Sequence, residues 1–285
     1  MTTLCDCHIH IVGDTARYPM LEARQYTPGP ATVERIRSLG APLGITRFVV
    51  VQPSFYGADN SLLCDALRDF GGAGRGVAVV DPARATDAGM ATLARAGVCG
   101  LRINLYSTPG ERPGQKLASR FADVADLAHR YGWHVQVIAP LPLLIEASSL
   151  LEASPVPVVI DHYGLPAGQE REDEARQRLL ALMRRPHLWM KLSAPYRSTG
   201  DSLAIDPDRA WLAALLEAGG ERCVWGSDWP HTPPHEVQPG GAAPLPYRPI
   251  DYSRLVAAFH AALPDAASAE RIMGTNAARL YGFAA

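Results

Sequence analysis

Short β-branched runs alternate with helically spaced segments along nearly the whole chain, and this alternation limits the fold more than any other feature. "RFVVVQP" precedes "NSLLCDALRDF", and "GVAVVDP" precedes "AGMATLARAG". "GLRIN", "HVQVIA", "VPVVIDH", "LWMKLS" and "CVWGSD" follow, the last four each preceded by a helical segment such as "FADVADLAHRYG" or "RAWLAALLEAGG". With the opening "CDCHIH" there are eight candidate strands. Strands joined by helical crossovers run parallel, and eight of them predict an α/β fold, a closed eightfold βα (TIM) barrel. The strands read as near-continuous apolar runs, as expected when both faces are covered. The length of 285 residues suits one such barrel, so residues 1–285 are expected to form a single domain.

Composition narrows the function classes. Hydrophobic residues at 47% and charged residues at 20% describe a globular chain with a large core. A formal charge of -2, without a basic run interleaved with aromatics, argues against a nucleic-acid partner. No basic start followed by an apolar run and a cleavage site is present, and no apolar run approaches the roughly 20 residues of a membrane helix. The expectation is a cytoplasmic protein with no membrane partner. Its five scattered cysteines fit reduced thiols.

Polar residues end most of the strands: His10, Gln52 with Ser54, Asp81, Arg102 with Asn104, His162, Ser193 and Asp228. Carboxyl ends of barrel strands converge on one mouth, where such folds carry their chemistry. On strand one the pleat aims His8 and His10 together and turns Cys7 and Ile9 away. A lone His or Asp at a strand end is commonly a hydrogen-bonded structural group or a cap. Four of them (His8, His10, His162 and Asp228), drawn from three strands at one end, point to a reaction site. The Pro- and Gly-rich stretch 231–249 lacks helical spacing and is expected to loop over that mouth.

"DCHIH", "DHYG", "WGSDWPH" and "NAARLYGF" resemble the amidohydrolase superfamily, specifically its amidohydrolase-2 branch. Within it, "QYTPGPAT", "VVVQPSFYGADNSLLCDAL" and "GLRINL" are most similar to the 2-pyrone-4,6-dicarboxylate lactonase group, which opens lactones without a metal. The resemblance implies Asp228 as general base toward water, with His8, His10 and His162 polarising the carbonyl. It also implies that Tyr26 and Ser54 contact the substrate while Tyr56 and Asn60 hold a loop. The implied setting is catabolism of aromatic or sugar-acid compounds.

Metal-dependent relatives add a histidine at the end of strand five. Here His134 stands at that strand's beginning, Ile138 and Ala139 occupy its exit, and Arg102 projects into the mouth. A divalent cation there has fewer ligands and a repelling neighbour, so no cofactor is expected. A metal-dependent amidohydrolase or decarboxylase, with zinc for example, is the alternative; a lactone isomerase is another, and a silent binding barrel a third.

Arg102 and Arg197 are suited to bidentate contact with a carboxylate, which predicts an anionic lactone as the small-molecule partner. Either arginine could instead pair with a protein carboxylate at the rim. Where the lactonase pattern has a second arginine after "RINL" stands Thr108, and where it has a tyrosine at the exit of strand five stands Ile138. One carboxylate clamp is thus missing, which favours a lactone with a single carboxylate, such as a muconolactone-like or sugar-acid lactone. Trp229 is expected as a pocket wall, Trp225 as barrel packing, His231 at the mouth or on a loop carbonyl, and His235 in solvent.

Overall fold

Eight parallel strands follow one another around a barrel in the computed structural model, each hydrogen-bonded to the next in chain order. They are β1 (Leu4–Ile9), β2 (Ile45–Val51), β3 (Gly74–Ala78), β4 (Val98–Asn104), β5 (His134–Ile138), β6 (Val158–Ile160), β7 (Leu188–Ser193) and β8 (Cys223–Gly226). The structure describes residues 3–24, 26–105, 113–166, 174–233 and 244–284, with backbone only for 113–119. The last strand meets the first through two backbone bonds: Asp228 N–H donates to the His8 carbonyl at 2.9 Å, and His10 N–H to that of Trp229 at 2.8 Å.

Period-2 patterning sorts the barrel side chains by face. On β2, Phe48 and Val50 join the apolar layer under the helices, while Val49 and Val51 join an inner cluster with Val77, Val159 and Val224. Helices α1 (Val33–Gly40), α2 (Ser61–Phe70), α3 (Asp87–Ala96), α4 (Pro113–Arg130), α5 (Leu141–Glu146), α6 (Ser148–Glu152), α7 (Glu174–Met183) and α8 (Arg209–Gly219) fill the crossovers. Local chemistry sets their ends. Thr86 caps α3 by accepting from Gly89 N–H, and Gly97 ends it in the left-handed region at φ 102°, where a side chain would be strained. Asp208 caps α8 by accepting from the amides of Ala210 and Trp211. None of the described helices is long and apolar enough to cross a membrane.

After β8 come α9 (Tyr252–Ala262), α10 (Ala266–Glu270) and α11 (Asn276–Tyr281). Asn276 donates to the carbonyls of Gly220 and Cys223, which ties the "NAARLYGF" segment to β8. Tyr281 and Phe283 thereby join Cys5 and Cys7 in the inner cluster, at the end of the barrel away from the mouth.

Strand β1 departs from the simple pleat. Asp6 pairs with Phe48 and Ile9 with Val50, so three steps on β1 oppose two on β2, the signature of a β-bulge. The expectation that Cys7 turns away from the histidines is therefore corrected: Cys7 packs in the inner cluster, and only Ile9 faces the helices. Asp6 points to the seam instead, accepting from Ser227 N–H, His8 N–H and Tyr252 O–H. Gly226 completes this close approach, since a Cβ there would lie 2.5 Å from that of His8.

Part of the stretch after β8 closes over the mouth as expected. Pro244–Leu245 pairs in parallel with Thr27–Pro28 of the loop after β1, and Tyr247 O–H donates to the Gly29 carbonyl. Residues 234–243, with His235, lie outside the described residues, as does Thr108.

Candidate active site

Three strand ends that carry the site turn through unusual backbone. His162 after β6, Ala194 after β7 and Asp228 after β8 have φ of 53°, 51° and 62°. Each such non-glycine residue costs about 1–3 kcal/mol and persists only where its surroundings over-determine it, which is common at functional sites. The turns bring His162 and Asp228 back over the barrel to meet the β1 histidines.

His8, His10, His162 and Asp228 come together as the sequence suggests. The His8 ring centroid lies 5.0 Å from that of His10 and 4.8 Å from that of His162. Asp228 Oδ1 lies 3.4 Å from His10 Nε2 and 3.5 Å from His8 Nε2, just beyond hydrogen-bond length. Its other oxygen, Oδ2, accepts from Tyr196 O–H at 2.6 Å and Arg197 Nε–H at 2.8 Å. One oxygen is fixed; the other faces the histidines with no hydrogen-bond partner among the described residues.

Burial raises the Asp228 carboxyl, but Arg197, followed by the neighbouring histidines, outweighs it and holds the group well below the usual carboxylate range. Burial pushes His162 down to about 4. It also drives His8 well below the ordinary histidine value, with help from Lys191. Both imidazoles are accordingly neutral near pH 7. His10 Nδ1 lies 2.7 Å from the Val51 carbonyl, which can only accept. A ring proton therefore sits on Nδ1, and Nε2 faces Asp228 Oδ1.

Beneath these residues lies a buried polar chain that the sequence analysis missed. Lys191 of β7 donates to Gln136 Oε1 at 2.7 Å, and Gln136 Nε2 donates to Asp161 Oδ2 at 2.9 Å. Asp161 Oδ1 lies 3.5 Å from both Lys191 Nζ and His8 Nδ1. A lysine and a glutamine in the middle of otherwise apolar strands ("LWMKLS", "HVQVI") were the available signal, because neither is buried without a partner.

The remaining candidates divide. Arg102 Nη1 donates to the Gln52 carbonyl at 2.8 Å, and its buried Nε has no partner among the described residues. Arg197 pairs with Asp228 and also donates to Thr232, so its guanidinium is engaged with a protein carboxylate. Tyr26 is buried and its hydroxyl pushed up to about 12 by that burial. Ser54, Tyr26, Arg102 and Ile138 line a narrow gap with His10, His162 and Asp228. Tyr56 accepts from Gly13 N–H, and Asn60 is bonded to both backbone polar groups of Val79. His231 is buried edge-on to Tyr196, and His134 is buried at the start of β5 against Gly100. Trp225 packs on Tyr252 and Phe259. Trp229, expected as a pocket wall, packs in the apolar core instead and does not line the gap.

Residues 5–283 match the family described as Amidohydrolase. The chain belongs to the amidohydrolase family. Within that family it is 32% identical over 241 residues to a 2-pyrone-4,6-dicarboxylate hydrolase of Comamonas testosteroni, covering 79% of this chain and 76% of the relative. It is 29% identical over 281 residues to a 4-sulfomuconolactone hydrolase of Hydrogenophaga intermedia, covering 97% and 88%. Its fold superposes on a Pseudomonas putida structure described as a candidate 2-pyrone-4,6-dicarboxylic acid hydrolase. The TM-score is 0.82 at 28% identity, over 100% of this chain and 99% of that one.

Within this amidohydrolase, one donor atom each from His8, His162 and Asp228 lies within 4.8 Å of the others, a donor set that in number suits a catalytic metal. The charge around it does not suit one. Asp161 and Asp228 are already faced by Lys191, Arg197 and Arg102, so a dication would add to an excess of positive charge.

Proposed function

We propose that this protein is a metal-independent hydrolase that opens the ring of a carboxylated lactone. The observation that carries this reading is the asymmetric Asp228 carboxylate, with Oδ2 held by Tyr196 and Arg197 and Oδ1 turned toward the imidazoles. Relatives that are lactone hydrolases by name support the substrate class.

A water beside Oδ1 gives its proton to Asp228 as its oxygen adds to the lactone carbonyl. His162, neutral and desolvated, stabilises the oxyanion through Nε2–H, whereas His8 turns Nδ1 and its single ring proton toward the Asp161 carboxylate. For His162 that tautomer needs Nδ1 to accept from Ser193 O–H, and the two atoms are 2.8 Å apart. His10 takes a different part from the one the resemblance implies. Its Nδ1 proton is committed to Val51, so Nε2 accepts from the newly protonated Asp228 rather than donating to the carbonyl. Collapse of the tetrahedral species breaks the ring C–O bond, and the Asp228 proton passes to the leaving oxygen. The product is the hydroxy acid. Arg102 binds the substrate carboxylate through the guanidinium face turned to the gap.

The test is a panel of carboxylated lactones in ¹⁸O-labelled water, with protein dialysed against a strong chelator and its metal loss confirmed. The expected result is undiminished turnover with one label in the new carboxylate. A second reading, a metal-dependent enzyme, is favoured by the donor set of His8, His162 and Asp228. Turnover lost on chelation and restored by zinc or manganese would establish it. An unlabelled product that is still a lactone would make the protein an isomerase.

A further inference from the structure

The gap among His10, His162 and Asp228 measures only about 20 Å³, room for about one water. A lactone ring cannot lie wholly within it. Only the reacting atoms enter this space, and the rest of the substrate must lie outside. Ser54, Arg102 and Asn104 line both this gap and a second cavity of about 390 Å³, within the size range of small-ligand sites. The larger cavity runs from those residues toward the loops after β1, β2 and β3 and the face of α4.

Its chemistry differs from that of the gap. Leu21, Phe55, Val80, Pro82, Ile103 and Val124 supply an apolar wall. Leu21 is 48% exposed, one of the two large apolar side chains exposed among the described residues, and it lies at this cavity against Gly57. Apart from Arg102, the charged groups described there balance, Arg24 and Arg120 against Asp81 and Asp123. Arg24 is turned back onto Thr27 and the Leu21 carbonyl, and Asp81 caps the turn at Ala83.

Resting on the lactonase reading, we propose that the second cavity holds an uncharged apolar substituent of the substrate. The ligand class is a lactone with one carboxylate, bound at Arg102, and an aryl or branched alkyl group extending past Ser54 and Asn104. With Arg102 taken, a second carboxylate finds no unmatched cation there among the described residues.

The experiment compares two carboxylated lactones, one bare and one aryl-substituted, together with their non-hydrolysable lactam analogues. kcat/KM is measured for the lactones and binding by calorimetry for the lactams. Wild-type protein should favour the aryl member of each pair by about tenfold or more, since even one methylene in an apolar pocket is worth about 10- to 200-fold. Ala83→Trp, which fills the cavity from an exposed turn outside the reaction gap, should erase that preference and leave the bare pair unchanged. Ala58→Trp does the same from the opposite loop if the first variant fails to fold. Equal binding of the two lactams by wild type, or tighter binding of a dicarboxylated lactam, overturns the proposal even if both lactones are opened. Aryl-selective lactam binding without turnover of any lactone upholds the cavity assignment and overturns the lactonase reading.

Discussion

Replacing Arg197 by glutamine separates two roles for its guanidinium: setting the basicity of Asp228, or binding the substrate carboxylate. Nε lies 2.8 Å from Asp228 Oδ2, and both side chains are buried. Opposite charges about 4 Å apart at an effective dielectric of about 20 interact by about 4 kcal/mol, which corresponds to about three pKa units. Asp228 must be ionised to accept a proton, and Arg197 keeps it ionised to a pH well below the usual carboxylate range. In Arg197→Gln the acid limb of kcat should therefore move up by about three pH units. Tyr196→Phe removes one hydrogen bond to the same oxygen. A hydrogen bond to a charged group is worth about 1.5–3 kcal/mol, so that limb should move by about one to two units. The assay is kcat against pH on the best lactone of the panel, with circular dichroism confirming that each variant is folded at each pH. An acid limb that stays in place while KM rises would assign Arg197 to substrate binding and refute the electrostatic account.

Other expected outcomes follow from the same geometry. Asp228→Asn should lower kcat by about a hundred- to ten-thousandfold, while Arg102→Met should chiefly raise KM because its partner is charged in ground and transition states alike. Lys191→Met leaves Asp161 buried without its cation and should lower unfolding stability by about 3–5 kcal/mol in urea titration. It should also let His8 protonate at higher pH, since Lys191 helps suppress that proton. Burial pushes the Asp6 carboxyl up to about 6, so the stability it contributes is present below about pH 4 and lost as pH rises through about 6. The stability of wild type relative to Asp6→Asn should fall by about 3 kcal/mol between pH 4 and pH 8, and a difference that does not vary with pH would contradict this.

The barrel was legible because alternation is a long-range pattern that tolerates local error. Each β-branched run falls on a strand and each helically spaced segment on a helix. The four central side chains were legible for a related reason, since strand ends converge whatever the details of the loops. The facing of Cys7 was not, because a bulge adds one residue to β1 without any mark in "CDCHIH" that distinguishes it from a regular strand. The partners of Asp228 were half legible. Arg197 was singled out with its pairing left open, whereas Tyr196, its neighbour in the same turn, carried no period or motif. Asp161 was hidden by its place just before His162: a regular pleat assigns adjacent residues opposite faces, and the left-handed turn at His162 removes that constraint.

The bond that joins the first strand to the last runs from Asp228 N–H to the carbonyl of His8. Asp228 and His8 are therefore joined at the main chain, and the separation of their backbones is inherited from the closure of the ring. Drift in the crossover helices or the outer loops changes what enters the mouth without altering that spacing. A barrel closed this way lets its loops vary while these two residues stay at one separation, because changing it means reopening the ring.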